Sequence, residues 1–353
     1  MNEVQIVSPA PRTRWRGLHA ADPLALPEQS PDWVDALVAG GKYLDASRQY
    51  SFPDGRQFVM PLVKRRGLLG LGGRLQSFPP GWGMGGILGE QELDAAAARE
   101  ILDDLRGIKA QQIAIRPNPL SWNAWAKALE TRRTHRGTIF IPRHAHVADI
   151  GCGMDELWGK FSKSARRAVR TAQRAQIQIK TGFGGQLLDE YYELFLLSVE
   201  RWAAQQNEPL ALARSRAKNR DPIEKLQAMG AHLGDDFVVS LATIDGRAVA
   251  GSILLLGAST AHETRSAMDR EAVGNTGAGE LLQFHTLRLA CQHGCQSFHM
   301  GESGQSNRLA LFKEKFAAKG HHYAEIRLDR LPWTRTDTML RTAVKKVLRF
   351  NDV

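Results

Sequence analysis

The sequence is poor in cysteine, with Cys152, Cys291 and Cys295 the only three in 353 residues. An odd count at that density excludes a disulfide framework. No run reaches the roughly 18 consecutive apolar residues of a membrane-spanning helix. The opening MNEVQIVSPAPRTRWRG lacks the basic-then-apolar order of a secretory signal. A soluble cytoplasmic protein with reduced thiols is therefore expected, with peripheral contact at an anionic membrane face left open. Acids are scarcer than bases, 37 against 47, for a net charge of +10. Such a surface attracts nucleic acid, nucleotide cofactors or lipid phosphates, and a merely well-solvated basic protein has the same composition.

Metal ligands at usable spacing are also missing. His144-Ala145-His146 with Cys152, and Cys291-x-His293-x-Cys295, have no second pair at zinc spacing. Cys291 and Cys295 flank Gly294, so they share no regular face. No metal is expected, nor a thiol nucleophile, since Cys291 falls on the apolar side of its helix.

What is present is an ordinary globular composition, 43% hydrophobic and 24% charged. The length suits two domains of roughly 150 residues each. Residues 1–30, rich in Pro and Ala, suggest a loose entry. Ser30 and Pro31 open a helix that Gly40-Gly41 ends. Residues 43–51 and 56–64 suggest strands around Pro53-Asp54-Gly55. Residues 67–89 are too glycine-rich for a regular element and suit a cleft-lining loop or a surface connector. Helix 92–108, strand 112–115, helix 123–129 and strand 137–141 complete the first half.

The second half restarts at 147–150. It continues with one long helix at 155–174, strand 177–180 and helix 186–205. A polar, basic loop is expected at 207–221, then helix 223–233. Strands follow at 237–244, 248–256 and 261–267, with Asp245-Gly246 as a hairpin turn. A basic helix is expected at 338–350, with Arg341, Lys345, Lys346 and Arg349 on one face and Leu340, Val344 and Val347 on the other. Strands in runs with helices between them predict α/β architecture with mixed sheets. The expected divisions are 1–146, 147–330 and a terminal 331–353.

The most informative stretch is 268–316. It holds the turn Gly274-Asn275-Thr276-Gly277-Ala278-Gly279 and a helix apolar over half its circumference. A short strand, a second Gly-rich turn and a basic-aromatic helix follow. Glycines let backbone approach a ligand closely, and a helix N-terminus offers free N–H donors and a positive dipole end. A phosphate or pyrophosphate suits such a loop.

This order resembles the core of the GNAT N-acyltransferase fold, and the whole chain resembles its FemAB-like branch, which fuses two such domains. Three pieces carry the likeness. One is Ser162-Lys163-Ser164-Ala165-Arg166-Arg167-Ala168-Val169-Arg170-Thr171-Ala172, similar to the family's basic helix. Another is Ala290 through Gly301, similar to A-x-x-x-G-x-x-x-F-x-x-G. The third is Leu309 through Phe316, similar to L-x-x-F-K-x-x-F. The resemblance implies two GNAT-like domains and acyl transfer to an amine. Its donor is acyl-CoA, with Gly277, Ala278 and Gly279 around the pyrophosphate. In such loops an Arg or Gln usually stands where this chain has Gly274, and members that use aminoacyl-tRNA often lack the glycine pattern. Both donors therefore stay open. The resemblance also implies a phosphate or substrate-carboxylate contact for Lys313.

Acyl transfer needs a base for the amine proton. Glu263, on the strand before the loop, is the first candidate, against the plain alternative of a polar residue on a half-exposed strand. Asp269 is a second candidate or a turn residue. Glu302 and Ser303 follow a strand end, where ligands approach, or serve the turn alone. The acceptor amine is expected between Glu263, Glu302 and residues 81–86. Lys163, Arg166, Arg170 and Arg174 fall on one helical stripe without interleaved acids, which suits an anionic partner. Three functions compete. They are an acyl-CoA-dependent N-acyltransferase with a small or lipid-linked amine acceptor, and an aminoacyl-tRNA-dependent transferase acting on a peptidoglycan or other cell-envelope precursor. The third is a non-enzymatic binder of nucleic acid or anionic membrane.

Overall fold

The computed structural model describes residues 3–40, 42–65, 73–130, 137–304 and 306–330, with Thr334, Thr336, Thr338, Met339 and Thr342. In chain order, β1 is Gln5–Val7, α1 Arg12–Ala21, α2 Pro31–Ala39, β2 Tyr43–Asp45, β3 Arg48–Ser51, β4 Gln57–Met60 and β5 Val63–Arg65. Then come β6 Arg74–Gln76, β7 Leu88–Gly89, α3 Ala95–Gly107, β8 Gln112–Ile115, α4 Trp122–Glu130 and β9 Thr138–Asp149. Helices α5 Gly153–Lys160 and α6 Lys163–Arg174, strand β10 Gln178–Phe183, and helices α7 Leu188–Gln206, α8 Leu210–Arg220 and α9 Ile223–Leu233 follow. The rest are β11 Phe237–Ile244, β12 Arg247–Leu256, β13 Thr260–Met268, α10 Arg270–Val273, α11 Ala278–His293, β14 Ser297–Glu302, α12 Asn307–Glu314 and β15 Lys319–Asp329. The α/β class with mixed sheets predicted from the sequence is the observed one.

The chain forms two compact units. The first ends at Arg143 and resumes at His321; the second runs from His144 to Gly320. Both crossings fall inside strands, β9 and β15. The two separate strands expected at 137–141 and 147–150 are one strand of 12 residues, because His144 and Ala145 continue the extended pattern without a turn residue.

In the first unit, β15, β8, β6, β5 and β2 are neighbours in that order, and β1, β3, β4 and β7 form a second small sheet. Helix α3 buries Ala97, Ala98, Ile101, Leu102 and Leu105, and α4 buries Trp125, Ala128 and Leu129. These meet Ile113, Ile115, Ile326 and Leu328 of the sheet in one core. Asp94 starts α3 by accepting the Ala97 N–H at 2.7 Å. The entry segment is less loose than its composition suggests: α1 buries Trp15 and Leu18, and the Trp15 indole donates to the Gln29 carbonyl at 2.8 Å.

In the second unit, the order is β10, β11, β12, β13, β14, β9. Helix α11 packs Leu281 and Leu282 against Ala242, Val249 and Ala250, with Val169 and Ala172 of α6 in the same cluster. Leu287 and Ala290 join Phe298, Leu254 and Phe161 in a second cluster. Full burial of each leucine contributes about 1.5–3 kcal/mol. Gly294, in the left-handed region at φ +94°, ends α11.

Two expectations are corrected here. The long helix at 155–174 is broken after Lys160, because buried Phe161 is extended and the Ser162 hydroxyl accepts the Ala165 N–H to start α6. Residues 207–221 are not a loop: α8 forms there, burying Ala213 and Ala217 and pairing Arg216 with Glu208 at 2.6 Å. Residues 67–72 of the glycine-rich stretch, and nearly all of the helix expected at 338–350, lie outside the described residues.

Candidate functional site

The site is built where two parallel strands part. β13 and β14 are paired at Thr260 with Ser297, Ala261 with Phe298 and His262 with His299, and not beyond. Yet β13 continues to Met268, held by β12 as far as the Ala250–Met268 pair. β14 continues to Glu302, held by β9 at Ala145. Each strand follows its other neighbour, so a wedge opens after His262 and His299. Two irregularities shape it. The β12–β13 register shifts between Ile253 and Leu254, and the β14–β9 register shifts between His299 and Glu302. Gly301 takes φ +68°, a backbone region that L side chains rarely enter.

Glu263 sits at the start of the wedge, half-buried. Its Oε1 accepts from Ser252 Oγ at 2.7 Å. Burial raises its pKa, opposed by hydrogen bonds from Ser252 and Gln283 and by the charges of Lys313 and His262. A carboxylate held up in this way binds a proton more tightly than a free one and is suited to act as a base.

Lys313, on α12, is 5% exposed. Its Nζ donates to the carbonyls of Gly301 and Glu302, each at 2.9 Å. Burial pushes its pKa down to about 8, opposed by Glu263 and Glu302. The amine therefore fixes the end of β14 and lies within electrostatic reach of Glu263. In the same run, Phe316 is buried, while Leu309 is 40% exposed.

Glu302 is half-buried beside the wedge, and Ser303 is buried. The Ser303 N–H donates to the His144 carbonyl at 3.0 Å, and its hydroxyl lies 2.9 Å from His146 Nδ1. His146 Nε2 lies 3.7 Å from Glu314 Oε1. Burial, then Lys313 and His144, lower the His146 pKa. The structure thus brings Glu263, Glu302, Ser303 and Lys313 to one wedge. It adds histidines that sequence reasoning passed over or weighed only as metal ligands. The rings of His144 and His146 are 4.6 Å apart, and those of His262 and His299 6.0 Å, edge to face. The only trace of them in the sequence is the His-x-His alternation at 144–146, and a single histidine per strand leaves no periodic signal.

The glycine turn follows β13. Asp269 accepts the N–H groups of Glu271 and Ala272 at 3.1 Å and pairs with Arg247 at 2.8 Å, so it caps α10. Gly277 takes φ +79°, and a Cβ there would overlap the Ala168 carbonyl oxygen of α6. Its glycine is thus required by the packing of α6 against α11. Gly279 differs: a Cβ would meet only the Met268 terminal methyl, at 4.0 Å. No protein contact requires glycine at 279, and the space over the first turn of α11 is open to a ligand. Residues 277–279 fit a pyrophosphate on that observation.

Helix α6 buries Ala165, Val169 and Ala172 and exposes Lys163, Arg167, Arg170 and Arg174. Arg166 Nη1 donates to the Gly159 carbonyl at 3.3 Å, and the Arg170 guanidinium lies 5.7 Å from the Trp158 ring centre. Residues 81–86 belong to the first unit, where Gly85 N–H donates to the Arg116 carbonyl at 2.9 Å. Among the described residues no group of three His, Cys, Asp or Glu could hold a metal ion, and no helix is long and apolar enough to cross a membrane.

The family model "Acetyltransferase (GNAT) domain" matches residues 159–308, which span α6, the glycine turn, α11 and β14. No curated protein matches the chain. Among solved structures, FemX superposes with a TM-score of 0.60 at 13% identity, covering 92% of this chain and 97% of FemX. The C-terminal domain of a putative lysylphosphatidylglycerol synthetase from Agrobacterium fabrum gives 0.52 at 14% identity, covering 94% and 96%. A conserved protein of unknown function from Bacteroides thetaiotaomicron gives 0.54 at 10% identity, covering 93% and 99%. At these identities the structures show the fold. Taken with the GNAT domain match over residues 159–308, they support the resemblance to the FemAB-like branch of that fold.

Proposed function

We propose that the protein is an N-acyltransferase that moves an acyl group from acyl-CoA to an amine. The observation that carries this is the wedge after His262 and His299, with Glu263 at its start and an unfilled space over Gly279 beyond it. Acyl-CoA supplies the activated carbonyl. Glu263 takes the proton that the acceptor nitrogen sheds as it bonds to the acyl carbon; the carbon–sulfur bond then breaks, and coenzyme A leaves with a proton as the free thiol. Backbone N–H groups of β13 that have no partner in β14 face the oxygen that gains charge. Lys313 holds the Gly301–Glu302 end of β14 in place, and Glu302 and Ser303 border the acceptor side. Arg166 and Arg170 act on the anionic part of the donor through their positive charge. No covalent enzyme intermediate is needed.

The acceptor is a small or lipid-linked amine. A lipid-linked one is included because of the name of the Agrobacterium neighbour. A second reading, aminoacyl-tRNA as donor, is favoured by α6, whose twelve residues hold five cations and no acid. The test is thiol release from acetyl-CoA with a panel of amines, alongside esterified tRNA as the competing donor. Thiol release that requires an amine supports the first reading. Turnover with charged tRNA alone replaces it by the second.

A further inference from the structure

A row of hydroxyls crosses the sheet of the second unit. Thr181 of β10 is paired directly with Ser240 of β11, and Ser240 with Ser252 of β12. Direct cross-strand partners point to one face, with Cβ atoms about 4.5–5.5 Å apart. That face is the one under α11. Ala242 and Ala250, two residues to one side of the row, share a cluster with Leu281 and Leu282. Val238 and Leu254, two residues to the other side, share a cluster with Leu287 and Ala290. The row therefore runs between two apolar clusters. On α11, Gln283 and Thr286 fall between the same leucines, are both buried, and are joined by the Gln283 Nε2 bond to Thr286 Oγ1 at 3.2 Å.

Both ends of the row are bonded. At one end, Ser252 Oγ donates to Glu263 Oε1 at 2.7 Å. At the other, Thr181 Oγ1 lies 2.9 Å from Nε2 of His285, which is half-buried on α11. Arg288 Nη2 lies 3.3 Å from His285 Nδ1. A guanidinium can only donate, so the neutral ring carries its proton on Nε2 and donates to Thr181. The donors at both ends thus point towards Glu263. Between them, the Ser240 hydroxyl is fully buried and has no hydrogen-bond partner among the described residues. A hydroxyl left so costs about 1–3 kcal/mol. An internal water that also reaches Ser252 and Thr181 would relieve it. Lys313 and His262 face Glu263, and Arg288 faces His285. Burial, then Arg288, lower the His285 pKa to about 4, so a proton that reaches this ring passes to solvent at neutral pH.

Acyl transfer gives such a row a task. An aliphatic amine is an ammonium near neutral pH. It sheds one proton to free the lone pair that forms the carbon–nitrogen bond, and a second as the amide forms. The carbon–sulfur electron pair leaves on sulfur, which keeps one proton, so one proton per turnover must reach solvent. Glu263 takes the two in turn and must discharge the first before it takes the second. We propose that Ser252, Ser240 and Thr181, bridged by internal water, relay that proton from Glu263 to His285 and on to solvent. As Glu263 gains a proton, each hydroxyl turns to donate away from it. His285 then holds its ring proton on Nδ1, accepts at Nε2 and releases from Nδ1 to water. Only Glu263 touches the reacting nitrogen; the others act through it. The part in turnover rests on the acyl-transfer reading, and the coupling of Glu263 to His285 does not.

Two measurements on the full chain test this. The first is nitrogen-15 NMR of the His285 ring without substrate, in mildly alkaline buffer where that ring is neutral. Glu263→Gln removes the charge at which the donors point and should shift the ring from Nε2–H towards Nδ1–H. In a Ser240→Ala background, where the middle hydroxyl is gone, the same substitution should leave the ring unchanged. Ser240→Cys, close in volume and a weak hydrogen-bonder, takes its place if Ser240→Ala does not fold. A ring that ignores Glu263→Gln, or follows it equally with Ser240 replaced, overturns the proposal. The second is thiol release from acetyl-CoA with a panel of amines. Ser240→Ala and Thr181→Val should lower kcat roughly tenfold at unchanged donor KM, against about 10²–10⁴-fold for loss of the base itself. Thr181→Ser should keep the native rate, and free imidazole should restore His285→Ala. An active chain whose kcat neither Ser240→Ala nor Thr181→Val lowers also overturns the proposal. No thiol release by the native chain, with a ring that still answers Glu263→Gln through Ser240, removes the acyl-transfer reading and leaves the coupling standing.

Discussion

Glu263 and Lys313 share one burial but are pushed in opposite directions, the acid up and the base down. If Glu263 is the base, the acid limb of the kcat/KM profile lies above the ordinary glutamate value of about 4.3, and activity rises as pH passes through it. Glu263→Gln should lower kcat by about 10²–10⁴-fold and remove that limb; an unchanged limb would show that another group takes the proton. Lys313 makes a separate prediction. Its folded pKa of about 8 lies below the unfolded value of roughly 10.4. Between those values the unfolded chain binds more protons, so this lysine's contribution to stability increases as pH rises from about 8 to 10. A neutral amine still has two N–H groups for the two carbonyls. Lys313→Met should leave both carbonyls unpartnered, at about 1–3 kcal/mol each. The gap from the native chain in urea unfolding should widen with pH over that window. A gap that narrows would contradict the burial argument.

At the scale of elements, Gly277 and Gly279 look alike in sequence and differ in the fold. Gly277→Ala forces a left-handed residue into the Ala168 carbonyl and should destabilise by about 1–3 kcal/mol or more. Gly279→Ala has room and better helix propensity, so its stability should hold or rise by up to about 1 kcal/mol. Its KM for the donor should nonetheless increase. An unchanged KM would mean that no ligand approaches the first turn of α11. Glycine spacing alone could not separate these roles, because the partner of Gly277 comes from α6, about 110 residues earlier. Local pattern did reveal α2, β8, β11 and α11, whose caps, turns and periodicity lie within the element. It failed at α8, where polar composition hid two small residues that pack, and at Phe161-Ser162, where a buried extended residue breaks a helical run. The wedge itself was not legible, since it depends on which neighbour each strand follows.

For the whole molecule, order carried more than any single motif. The succession of β13, glycine turn, α11, β14 and α12 was legible because each piece has its own local signal. From β13 to β14 that succession lies within the GNAT match. The passage of the chain between units inside β9 and β15 was not legible, since no turn residue marks it. The net charge of +10 adds an ionic-strength prediction. Arg166→Glu with Arg170→Glu should raise the donor KM and flatten its salt dependence, and an unchanged KM would remove α6 from donor binding. The most direct measurement is calorimetric titration of the native chain with coenzyme A. Saturable one-to-one binding, lost in Gly279→Asp while the fold is kept, is the predicted result. No heat with coenzyme A, or heat that Gly279→Asp leaves intact, would contradict an acyl-CoA donor at the α11 turn.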